Sequence, residues 1–259
     1  MSQTRLTLNG LRHYNCAGVP RPLPSVTSVL SATQSEETRQ KLAHWNVMNP
    51  GALENAAARG TFIHNAVENW IRGLPVEPPN EYRPYWTDMP EKLEELLGNG
   101  TVLWSEKPYN QPQWSQYTGD DGVGRIHYYD EATGHGYAGC CDIIYRDENG
   151  ETILGDFKTS VGPYSSRFPR ANSGIDDKLR KALISGVFKL KKTQLQLAAY
   201  KLAAERCLGI QIDKTQIIVS TAVPEFSVQV FTFGKKDIEK HEELWLEVVK
   251  KFYNLQAAA

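Results

Sequence analysis

Apolar positions along the chain fall into two periods. Phe62, Ile63, Ala66, Val67, Trp70 and Ile71 recur at helical spacing and predict a helix over 53–71. Leu195, Ala198, Ala199, Leu202 and Ala203 form the packed face of a second strong helix, over 192–205. Residues 36–48 read as another helix, cut off from the 53–71 helix by Asn49-Pro50-Gly51, and 91–97 as a shorter one. An amphipathic helix over 235–255 follows the last strands. A period of two shows in Val228, Val230 and Phe231-Thr232-Phe233, predicting a strand over 227–233 after one over 215–221. Residues 101–108 predict a strand, 4–16 a short hairpin or strand, and 73–90 a Pro-rich loop, while the polar, aromatic stretch 111–124 gives no assignment.

The most informative stretch, 136–160, reads as two strands joined by a turn at Asp147-Glu148-Asn149-Gly150. It carries Asp142, Asp156 and Lys158. A three-residue loop over Glu148–Gly150, closed by a left-handed Gly and a bulge, puts Asp142 opposite Asp156 on one face. Lys158, two residues on, shares that face, and Phe157 points into the core. A two-residue loop would instead put Asp156 on the other face from Asp142. Two close carboxylates repel unless a cation sits between them, and Mg²⁺ or Mn²⁺ suits oxygen ligands. Alone, D-x-K is a weak signal, because a solvated hairpin with surface acids reads the same.

Context adds weight. His64 and Glu68 are four residues apart on one helix face, a spacing that suits a ligating imidazole held by a carboxylate as well as an ordinary surface pair. Glu106 in the 101–108 strand offers a further carboxylate. Gln196 and Tyr200 sit one turn apart, placed to contact a phosphate or orient a ligand. Together these give R-G-T-x-x-H-x-x-x-E from Arg59, a strand Glu, G-x-x-D, D-x-K and Q-x-x-x-Y, in that order. The set resembles the RecB-like exonuclease branch of the PD-(D/E)xK nuclease superfamily. With Leu23-Pro-Ser-Val-Thr-Ser-Val-Leu30, Leu42 and Trp45, it is similar to the group containing the mitochondrial genome maintenance exonuclease and its phage relatives, over residues 22–205.

The resemblance implies an α/β (α+β) fold: a restriction-endonuclease-like core, a central mixed sheet flanked by helices, and an N-terminal helical elaboration. It implies one nuclease domain over 1–259, with the elaboration in 1–100, the catalytic core in 101–233 and a C-terminal helix in 234–259. Asp142, Asp156 and Lys158 are then catalytic, Lys158 positioning or activating water. His64, Asp142, Asp156, the Phe157 carbonyl and Glu106 are the implied metal ligands, for Mg²⁺ or Mn²⁺. Glu68 is expected to orient His64, while Arg59, Gln196, Tyr200, Lys191 and Lys192 support the site or the DNA backbone. Some members of the branch hold an iron–sulfur cluster through one early and three late cysteines. Here Cys16, Cys140, Cys141 and Cys207 include one late residue, so no cluster is expected. Adjacent Cys140 and Cys141 project to opposite strand faces and make no simple zinc pair.

The net charge of −1 does not advertise nucleic-acid binding, but local charge does. Lys178, Arg180, Lys181, Lys189, Lys191 and Lys192 cluster ahead of the Gln196 helix, with Arg167 and Arg170 in a loop before them, as a phosphate-tracking groove would need. Trp86, Trp104, Trp114 and Tyr117 are candidates for stacking on unpaired bases. Scattered cysteines and no recognisable secretory signal suit a reducing compartment, the cytoplasm of a bacterial or phage-infected cell, with an organelle left open. The expected partners are DNA, single-stranded or at ends, and phage or host replication or recombination proteins, with no membrane. The expected activity is a metal-dependent DNA exonuclease. Two alternatives stay open: a structure-specific endonuclease or duplex-end resecting nuclease, and a non-catalytic DNA-binding accessory factor.

Overall fold

The computed structural model describes residues 5–107, 112–119, 121–170 and 174–258. In chain order the elements are β1 (Arg5–Leu8), β2 (Leu11–Tyr14), β3 (Leu23–Pro24), α1 (Val26–Ala32), α2 (Glu36–Met48), α3 (Ala52–Ile71), α4 (Arg83–Trp86), α5 (Met89–Leu97) and β4 (Thr101–Ser105). They continue as β5 (Ile126–Asp130), β6 (His135–Gly139), β7 (Ile143–Arg146), β8 (Thr152–Ser160), α6 (Asp177–Leu208), β9 (Lys214–Thr221), β10 (Val228–Phe233) and α7 (Lys235–Ala257).

The central sheet has the order β10-β9-β8-β7-β4. The β8–β9 pair is parallel and the other pairs are antiparallel, which makes the sheet mixed. A parallel pair needs a long crossover, and α6 supplies it. Alternate residues of the strands serve two cores. Ile144, Leu154, Ile217 and Val219 face α6 and α7, packing with Leu197, Ala198, Trp245 and Phe252. Ile143, Tyr145, Ile153, Phe157 and Ile218 face α3, α4 and α5, packing with Ile63, Val67, Trp86, Met89 and Leu93. The fold is thus α+β with helices on both faces of the central sheet, as the sequence predicts.

Several expectations need correction. The first strand of the 136–160 stretch is two strands: β6 pairs with β5 in a separate two-stranded sheet, and the chain crosses at Cys140–Asp142 into β7 of the central sheet. The 73–90 loop contains α4, and Tyr85 and Trp86 are buried there. The basic segment from Lys178 to Lys192 is not ahead of the Gln196 helix but is its first half. Asp176 caps that helix, accepting from the Leu179 N–H at 2.8 Å. Residues 111–124 hold a 3₁₀ helix over Pro112–Tyr117, with 111 and 120 outside the described residues. By contrast, α2 buries none of its side chains and leaves Leu42, Trp45, Val47 and Met48 exposed. The Cys16, Cys140, Cys141 and Cys207 thiols are all free. Among the described residues, no helix is long and apolar enough to cross a membrane.

Candidate functional site

The β7–β8 turn sets the register on which the site depends. The Asp147 carboxylate accepts the backbone N–H groups of Asn149 and Glu151 at 3.0 and 2.9 Å. Gly150, at φ +82°, takes the left-handed position that closes the turn and donates to Asp147 O at 3.0 Å. Asp147 therefore faces Glu151, and the pairs run from Arg146↔Thr152 to Ile143↔Gly155. One further step puts Asp142 across from Asp156, the register of the three-residue loop. Asp142 Oδ2 accepts the Phe157 N–H at 2.7 Å, fixing the carboxylate at the strand end. Phe157 itself is buried on the opposite face, as predicted.

The other acid and the imidazole arrive from different layers. Glu106 follows β4, and its N–H donates to Asp142 O at 2.8 Å. His64, on α3, sets Nε2 3.0 Å from Phe157 O and Nδ1 3.4 Å from Glu106 Oε2 and 3.5 Å from Asp142 Oδ1. One donor atom each from His64, Glu106 and Asp142 lie within 4.8 Å of one another. Asp156 stands behind this group, 1 % exposed, and its Oδ2 lies 2.5 Å from Lys158 Nζ. That contact is an ion pair that holds the Lys158 amine against the buried carboxylate.

The charges are strongly coupled. Burial, offset in part by His64 and reinforced by Asp156, pushes the Asp142 carboxyl up to about 7. Burial works against a charged His64, but the Asp142 and Glu106 carboxylates outweigh it and raise the imidazole to about 9. The His64 hydrogen bond holds Glu106 below the usual carboxylate range. Burial also opposes the Lys158 charge, yet Asp156 and Asp142 keep its amine above the ordinary value. A proton on His64 thus occupies the position where two carboxylate oxygens converge.

The supporting residues divide. Gln196 Nε2 donates to Tyr200 Oη at 2.9 Å, and both line the cavity beside His64, Asp142 and Lys158. Glu68 does not orient His64. It turns under the end of β4, accepting from Ser105 Oγ and the Lys107 N–H, both at 3.2 Å, with Arg72 3.6 Å away. It therefore anchors the residues on either side of Glu106. Arg59 donates to Thr159 Oγ1 at 3.2 Å and lies over the Tyr85 ring, outside the cavity lining. Lys189 reaches Ser160 Oγ at 2.9 Å. Lys192 is exposed one turn before Gln196, whereas Lys191 turns away to lie over the Phe168 ring. The stacking candidates are otherwise employed. Trp86 and Trp104 are buried in the two cores, Trp114 Nε1 donates to Leu103 O, and Tyr117 Oη donates to Cys207 O.

Sequence reasoning passed over one wall of the cavity: Arg5, Arg12, Tyr14, Ser25, Thr27 and Arg125. The available signal was the alternation of Arg12 and Tyr14 in a short strand. That strand pairs with β1 and β3, and its place across the cavity from His64, Asp142 and Lys158 is a long-range contact that leaves no local pattern.

No protein-family model matches the chain, and no curated protein matches it. Among solved structures the chain is similar to one described as the crystal structure of SSO0001, at 16% identity over 87% of this chain and 74% of that one, with a TM-score of 0.36. A likeness at that score carries no argument about function.

Proposed function

We propose that this chain is a metal-dependent deoxyribonuclease with a restriction-endonuclease-like core, of the RecB-like branch of the PD-(D/E)xK superfamily. It hydrolyses phosphodiester bonds on single-stranded DNA or at free DNA ends. One observation carries the reading: the bulged hairpin register that puts Asp142 across from Asp156, with Lys158 on Asp156 and the His64–Glu106 pair on Asp142.

The donor set fits a hard divalent cation. With its proton on Nε2, donated to Phe157 O, a neutral His64 aims the Nδ1 lone pair at two carboxylate oxygens. That arrangement is repulsive unless a proton or a metal ion lies between them. His64, Glu106 and Asp142 would hold the ion, with Asp156 adjacent. The Phe157 carbonyl fixes the imidazole and keeps a second lone pair free. Mg²⁺ or Mn²⁺ supplies charge stabilisation at phosphate oxygens and acidifies a water ligand. Lys158 holds the water or offsets charge developing on the phosphate, which its raised proton affinity favours. Gln196 and Tyr200 close the cavity side.

Purified protein with Mg²⁺ or Mn²⁺ degrades labelled single-stranded DNA, and Asp156→Ala and Lys158→Ala lose that activity. Equal rates for wild type and Asp156→Ala would remove this mechanism. A circular single strand separates exonuclease from endonuclease, because a strict end requirement leaves it intact.

A further inference from the structure

The cavity beside the His64–Glu106–Asp142 group has a second, cationic wall that the proposed hydrolysis does not use. Its volume is about 290 Å³, at the small end of ligand cavities. The antiparallel pairs Arg5↔Tyr14 and Thr7↔Arg12 put Arg5, Arg12 and Tyr14 on one face of the β1–β2 hairpin, and all three line this cavity. Thr27, exposed, adds a hydroxyl to the same wall. Both arginines are exposed, and neither guanidinium has an ion-pair partner among the described residues.

The wall is fastened to the rest of the molecule. Arg125, 4 % exposed, pairs with Asp121 and lies 5.2 Å over the Tyr14 ring. Ser25 bridges to Ala138 of β6. The hairpin therefore stands as a fixed barrier facing the acid group and Lys158. Two guanidinium groups without an ion-pair partner among the described residues, over a polar, nucleotide-sized space, call for an anion. An internal phosphodiester carries one charge, whereas a phosphomonoester carries about −1.5 to −2 and three acceptor oxygens. The planar fork of arginine matches such a group. A barrier that stops the strand selects the end over the interior.

Resting on the nuclease reading above, we infer that this wall is a subsite for the terminal phosphate of a DNA strand, with the terminal nucleotide spanning the cavity between Arg12 and the His64–Glu106–Asp142 group.

The test uses the full chain with Mg²⁺ and single-stranded oligonucleotides carrying a 5′-phosphate, a 3′-phosphate or hydroxyls at both ends. The readout is the ratio of initial rates on phosphorylated and hydroxyl ends. Wild type favours one phosphorylated end by about 10- to 100-fold, the range for losing a charge-assisted contact. Arg5→Ala and Arg12→Ala move that ratio toward one, and Arg12→Lys, which keeps charge without the fork, falls between. A wild-type ratio of one with cleavage intact overturns the subsite and leaves the nuclease standing. A preference unchanged by both arginine variants overturns the assignment to this wall. If no DNA is cut, the nuclease reading fails. Fluorescence anisotropy of the same oligonucleotides in EDTA then decides the subsite alone, equal binding of phosphorylated and hydroxyl-ended strands overturning it.

Discussion

Replacing Asp142 with Asn removes a charge while keeping an oxygen to accept the Phe157 N–H. The Asp142 carboxyl is raised from its ordinary 3.8 to about 7, with burial as the main cause. At ~1.4 kcal/mol per pH unit, ionised Asp142 costs the metal-free folded state on the order of 4 kcal/mol above pH 7. The sign follows from proton uptake. Below pH 3.8 both folded and unfolded carboxyls are protonated and no penalty exists. Between there and about 7 only the unfolded chain ionises, so the penalty grows with pH, and above about 7 it is complete. Part of the gain is returned, because His64 loses the carboxylate that raises its proton affinity. The net expectation for Asp142→Asn in EDTA is a stabilisation of about 1–3 kcal/mol at pH 8, shrinking to less than half of that at pH 4. Urea unfolding at the two pH values measures it, read as midpoint shifts at constant m. The variant also loses metal-induced stabilisation, the expected exchange of function for stability at a site rich in buried charge. An Asn variant no more stable than wild type at pH 8, or a gain independent of pH, refutes the reasoning.

Gly139→Ala places a Cβ 2.6 Å from Tyr200 Cε1 and 3.4 Å from Val26 Cγ2. It should cost about 1–3 kcal/mol in thermal unfolding and displace the Tyr200–Gln196 pair; an unchanged melting temperature would show that Tyr200 is free to move. Glu68→Gln gives up the Arg72 ion pair and weakens one of the acceptors holding Ser105 and Lys107, at about 1–3 kcal/mol. If Glu68 positions Glu106, titration with Mn²⁺ shows a smaller rise in melting temperature than in wild type, and an equal rise counts against that role.

What the sequence discloses about this fold is largely local. The register of Asp142 and Asp156 was legible because one Asp and one Gly of the same turn determine it. The helices carrying His64, Gln196 and Tyr200 were legible because their apolar periods are complete. Glu68 was misread for a related reason: a spacing of four names a shared face but not the neighbour that face meets. Here β4 brings Ser105 and the Lys107 amide to the carboxylate. The first half of α6 buries only Gly186, Val187 and Leu190, too sparse a stripe to announce a helix against its run of lysines. The break between β6 and β7 was invisible because Gly139 ends a hairpin with β5, a strand that the sequence pattern did not announce. Trp86 and Trp104 illustrate the prior for large aromatics: absent a reason to be outside, they fill cores.

The parallel pairing of β8 with β9 has a consequence during synthesis. The strand bearing Asp156 and Lys158 leaves the ribosome well before β9, whose register with it runs from Ile153↔Lys214 to Ser160↔Thr221. Until α6 has emerged and folded back, one side of β8 is an open ladder of unpaired N–H and C=O groups, the kind of edge that recruits other chains. Polypeptides that stop short of Lys214 keep that edge permanently, and their insolubility would report a missing neighbour strand rather than any defect in the acid cluster.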